Sequence, residues 1–117
     1  MKTSKKDFEL FKKECRKWID KLELNTYSVY FQQVPLDHEY AKTMTQYLSM
    51  QATMALASDW DTEVRPLNRY EIAKVAKHEA VHLLLSKMDT LATSRFVTKD
   101  ELDQAEHEIV RKLENIL

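Results

Sequence analysis

The chain has 117 residues, of which 44% are hydrophobic and 32% charged, and its formal net charge is −1. This balance fits one globular domain spanning residues 1–117 and excludes a disordered chain, and no apolar run approaches the ~18 residues of a membrane span. Glycine is absent, which excludes the phosphate-cradling loops of many nucleotide-binding classes and leaves tight turns to Asn, Asp, Ser or Pro.

Residues 1–21 carry eight Lys/Arg against four Asp/Glu, a local +4 that leaves −5 for the rest. A solvated helix face accounts for it, and a basic docking surface is the lesser alternative. No groove-reading motif accompanies the excess, so no nucleic-acid partner is expected. The start, MKTSKKDFELFKKECRKW, has charges throughout and no apolar stretch of the kind a secretory leader needs. Within it, Phe8, Phe11, Cys15, Trp18, Ile19 and Leu22 recur at three- and four-residue steps, which predicts an amphipathic helix over 4–23. Ser4 reads as its N-cap and Asn25 as its exit. Cys15 is the only cysteine. It excludes an internal disulfide and a Cys-rich zinc knuckle, and points to a cytoplasmic setting.

The period then changes. In TYSVYFQQV, Tyr27, Val29 and Phe31 alternate with Ser28, Tyr30 and Gln32, the pattern of a strand, and residues 35–39 read as a turn. The stretch YAKTMTQYLSMQATMALASDW suits two strands in a hairpin, with Ala52, Met54 and Leu56 on a buried face. The same letters also suit a helix, since Ala, Met, Leu and Gln are good helix formers. Pro66 ends whatever precedes it. Two helix starts follow, each marked twice: Asn68 with Glu71, flanked by Leu67 and Ile72, and Thr98 with Glu101, flanked by Val97 and Leu102. Helices are expected over 69–88 and 99–116. The fold class is therefore α+β: an N-terminal helix, a small mainly antiparallel sheet, then two packed C-terminal helices.

The first of those helices carries KHEAVHLLL at 77–85. One turn of helix separates His78 from His82, so both imidazoles project from one face and can each give a nitrogen to one Zn²⁺. Glu79, next to the first, reaches a zinc-held water without coordinating the metal and can serve as general base. The plain alternative is a pair of surface histidines, or core histidines with satisfied hydrogen bonds. The aliphatic neighbours Ala80, Val81 and Leu83 to Leu85 argue against it, because burying three polar side chains among them is costly unless something pairs with them.

A third ligand decides the class. Metzincins place a glycine and a histidine where Leu85 and Met88 stand, so that class fails. On the last helix, the stripe Leu102, Ala105, Ile109, Val110, Leu113, Ile116 and Leu117 brings Glu106 with it, whereas Glu101, Glu108 and Glu114 fall toward the polar face. Glu108 groups there with Arg111 and Lys112. Glu106 is the candidate ligand; its alternative is a boundary glutamate that reaches water or a lysine. His107 is the rival ligand, and Asp89 either orients an imidazole or is an ordinary helix-end aspartate.

With HEAVH at 78–82 and EHEIVRKL at 106–113, the sequence resembles the gluzincin metallopeptidases, most closely their single-domain minigluzincins and the short HExxH proteins of phages and bacteria. The resemblance implies a zincin-like domain and a zinc-dependent peptidase. In it His78, His82 and Glu106 hold Zn²⁺, Glu79 is the catalytic base, and a peptide or protein is the substrate. The residue four beyond the ligand glutamate is often acidic in larger gluzincins and here is Val110. No motif marks a transition-state stabiliser, for which Tyr47, Tyr70 and His38 are the candidates. A strand edge within 43–57 could hold an extended peptide by β-addition. The alternative function is a catalytically inactive, zinc-stabilised interaction domain on the same scaffold.

Overall fold

In a computed structural model that describes residues 1–94 and 96–116, the elements run α1 (Lys5–Lys21), β1 (Ser28–Val34), β2 (Ala41–Gln46), a single 3-10 turn (Tyr47–Ser49), β3 (Gln51–Ala57), α2 (Arg69–Ala92) and α3 (Lys99–Glu114). This is the expected α+β order. None of the described helices is long and apolar enough to cross a membrane.

Helix α1 starts in a reciprocal cap: the Asp7 N–H donates to Ser4 Oγ at 3.1 Å, and the Ser4 N–H donates to Asp7 Oδ2 at 2.7 Å. Its buried residues are Phe11, Cys15 and Ile19, one per turn along a single stripe. The helix does not exit at Asn25. Glu23 turns the chain with φ 55, and His38 and Met50 do the same at φ 59 and φ 52. With no glycine in the chain, these reversals fall on residues carrying a Cβ, at a strain of roughly 1–2 kcal/mol each. The expectation that Asn, Asp, Ser and Pro would make every turn is corrected at these three positions.

The strand order is β1-β3-β2, with β3 central. β2 and β3 form the expected hairpin, closed by the 3-10 turn and Met50, and Thr43 pairs with Met54 in its register. β1 runs parallel to β3, Phe31 opposite Met54, so the sheet is mixed. β1 and β3 are parallel neighbours because the chain passes first to β2 on the far side and returns between them. As the outer strand on that side, β2 keeps one row of backbone N–H and C=O groups without a sheet partner among the described residues.

Phe11, Cys15 and Leu22 meet Met54, Leu56, Trp60, Ile72, Ala76 and Leu83 in one core. The Trp60 indole N–H is satisfied by the Arg65 carbonyl at 2.9 Å, as burial of a polar edge requires. α2 begins at Asn68, whose side chain accepts the Glu71 N–H at 2.9 Å, and α3 at Thr98, which accepts the Glu101 N–H at 3.2 Å. The Glu71 carboxylate does not return to its cap. It takes Arg65 instead, at 3.2 Å. α2 runs four residues past its expected end, to Ala92.

Helix α3 sits rotated from its expected setting. Ala105 is its one buried residue among those described, Ile109 and Leu113 pack against the core, and Val110 is 48% exposed. Leu117, which the expected stripe included, lies outside the described residues. The rotation follows from polar anchors on the other flank. Lys87 Nζ on α2 pairs with Glu108 Oε1 at 2.9 Å, and Lys112 Nζ donates to the Glu23 carbonyl at 2.8 Å. Glu108 thus bridges two helices instead of pairing along its own with Arg111 and Lys112.

Candidate metal centre

α2 buries one face, and that buried stripe (Ile72, Val75, Ala76, Ala80, Leu83 and Leu84) includes one carboxylate, Glu79. His78 and His82 lie at the edge of that stripe and are exposed. The expected burial of all three polar residues therefore holds for Glu79 alone.

The two imidazoles converge. Nε2 of His78 and Nε2 of His82 are 3.1 Å apart. Two nitrogens bound tetrahedrally to one zinc at ~2.0–2.1 Å would stand ~3.3 Å apart, so the pair fits a shared cation nearly as it stands. The same separation suits a hydrogen bond from one ring N–H to the other ring's bare nitrogen.

Glu79 is 6% exposed, and its carboxylate is held from β2. The Thr43 hydroxyl lies 2.8 Å from Glu79 Oε1 and 3.1 Å from the Glu79 carbonyl oxygen. A hydroxyl has one proton to donate, and the shorter contact with the carboxylate is the stronger bond. The buried acid thus has its partner without a metal, which answers the cost that first suggested a cation. Strand alternation turns Thr43 toward α2, since Ala41, Thr43 and Thr45 are the less exposed side of β2 and Lys42, Met44 and Gln46 the outer.

Together these residues form an open groove. His78, Glu79 and His82 make one wall, while Ala41, Lys42 and Thr43 of β2, with Glu39 just before it, make the other. Arg65 and Tyr40 extend the groove beyond His78. Arg65 lies over the Tyr40 ring, 5.2 Å from its centroid.

Glu106 does not join this group. Its side chain is exposed on α3, and it makes no hydrogen bond or ion pair with the described residues. Among the described residues no three His, Cys, Asp or Glu side chains gather closely enough to hold a metal. The cause is the rotation of α3: with 100° per residue, Glu106 lies about 200° from Glu108, on the opposite flank to the one that anchors the helix. The rival His107 is also exposed on α3. Asp89 is exposed near the end of α2, where its backbone carbonyl accepts the Thr93 N–H. It makes no contact with either imidazole among the described hydrogen bonds.

None of the three expected oxyanion donors lines the groove. Tyr47 faces a separate cavity between α2 and α3, beside Tyr27 and Lys87. Tyr70, 72% exposed, stands near Trp18 on the α1 side. His38 sits in its left-handed turn, 3.2 Å from Asp37, against a depression that includes Trp60. Thr43, Glu39 and Arg65 are the groove residues that sequence reasoning passed over. The alternation of β2 signals which way Thr43 faces, but only the packing of β2 on α2 signals what it meets.

The chain matches no family model, curated protein or solved structure.

Proposed function

We propose that the chain is a zinc-dependent peptidase of the HExxH type, working in a cytoplasmic setting. The observation that carries this reading is the convergence of His78 Nε2 and His82 Nε2 to 3.1 Å beside a buried, hydroxyl-held Glu79, across a groove from a free strand edge. Those two nitrogens fit a cation, and the resemblance supplies Glu106 as the third ligand. Glu106 is unengaged among the described residues, and α3 rests on few apolar contacts, so recruiting it means turning or sliding one helix. A zinc ion held by His78, His82 and Glu106 would supply Lewis acidity and acidify a water.

The remaining work belongs to the protein. Thr43 occupies Oε1 of Glu79, and Oε2, which has no hydrogen-bond partner among the described residues, would take a proton from the attacking water and pass it to the leaving amine. The unpaired edge of β2 can receive an extended peptide by backbone hydrogen bonds, laying its scissile carbonyl across the groove. Arg65, shared with Glu71, and Lys74 are cationic groups at the groove's end.

Incubation of tag-free protein with zinc and unfolded casein tests the reading. Glu79→Gln should keep its zinc and lose turnover, and cleavage by that variant at the parental rate removes Glu79 as the base. A second reading is favoured by the exposure of Glu106: a zinc-stabilised interaction domain without turnover, signalled by stoichiometric zinc with no peptide cleaved.

A further inference from the structure

We infer that Thr43 is a positioning residue that locks the Glu79 carboxylate to the edge strand. The inference rests on the peptidase reading for its kinetic consequence and on the hydrogen bond itself for its structural one.

A glutamate side chain has three rotatable bonds, and nothing about an HExxH helix fixes where its carboxylate points. Here the carboxylate is buried beside apolar residues of α2, and the one side-chain group that holds it among the described residues is the Thr43 hydroxyl, at 2.8 Å. Threonine is stiff at χ1 because two heavy atoms branch from Cβ. Its backbone is fixed in turn by pairing with Met54, which is fully buried on the central strand. The anchor is therefore rigid from the core outward, and it comes from the outer strand of the sheet, which lines the groove. Any displacement of that strand on taking up a peptide is transmitted to Oε1, so the element that receives substrate also aims the base.

A purely structural role, in which the hydroxyl only satisfies a buried acid, makes different predictions. Thr43→Val removes the hydroxyl at nearly constant shape, and Thr43→Ser restores it without the methyl group. Positioning predicts that Thr43→Val binds zinc as the parent does, keeps KM within twofold and loses ten- to a hundredfold in kcat, since small misplacements of a reacting group cost that much. Thr43→Ser should return kcat to within about threefold. The Thr43→Val, Glu79→Gln double variant should be no slower than Glu79→Gln alone. Parental kcat in Thr43→Val, equal loss in the Ser and Val variants, or a loss confined to KM overturns the inference. Thr43→Ala stands in if the Val variant does not fold.

Crystal structures of the same variants decide the point apart from activity. The Glu79 carboxylate should leave the strand in Thr43→Val and return in Thr43→Ser. A carboxylate that stays in place without the hydroxyl overturns the inference even if the protein cleaves peptides. Zinc-bound parent protein that cleaves nothing removes the peptidase reading, and the crystallographic comparison still tests the lock.

Discussion

Cys15 lies wholly out of solvent between α1 and α2, its Sγ 3.9 Å from the Ala76 carbonyl. Burial pushes its thiol up, and the negative charges of Glu79 and Glu14 push the same way. The unfolded chain then loses this proton near pH 8.5, where the native state still holds it. Stability from this group is whole below that pH and declines as pH rises above it. Denaturant midpoints should therefore fall more steeply with pH above about 8.5 for the parent than for Cys15→Ala. Native protein at pH 8 should also resist iodoacetamide, whereas the unfolded chain alkylates readily, as mass spectrometry would register. A native thiol that reacts as fast as the unfolded one contradicts the burial argument. At this scale the sequence was readable where chemistry is local. His78, Glu79 and His82 declare themselves by spacing within one helical turn, but the partner of Glu79 is 36 residues away, and no local pattern announces it.

Elements carry clearer signals at their ends than along their faces. Ser4, Asn68 and Thr98 were each legible as caps, because capping needs only a side-chain oxygen three residues before a waiting N–H. Asn68→Ala should cost about 1 kcal/mol of unfolding free energy, read from a denaturant titration. Leu83→Ala, at a site with no exposure, should cost about 2–5 kcal/mol. Replacing Lys87 and Glu108 together by Ala should cost under ~1 kcal/mol, because that pair is one-third exposed. A cost for the pair comparable to Leu83→Ala would mean that α3 is docked by charge more than by packing. The face of α3 was misread for a different reason. Its apolar residues span a wide arc, Val110 included, and the choice of which part of the arc faces inward is made by Lys87 and Glu23 on other elements. The β2–β3 region was readable as strands only by balancing Thr and Met content against helix-forming Ala, Leu and Gln. Sheet pairing on both sides of β3 settles that balance.

For the molecule as a whole, the paired imidazoles and buried carboxylate of α2 and the outer strand β2 converge on one groove although they come from two separate stretches of chain. If the groove takes zinc, the cation binds the native state alone, and saturating it at a hundred times Kd adds roughly 2.7 kcal/mol of stability, visible as a higher Tm. The most direct measurement is the zinc content and affinity of tag-free protein, set beside that of a His78→Ala, His82→Ala double variant. One zinc per chain in the parent and none in the double variant is the predicted result. A parent that binds no zinc, or a double variant that binds it equally well, contradicts the account.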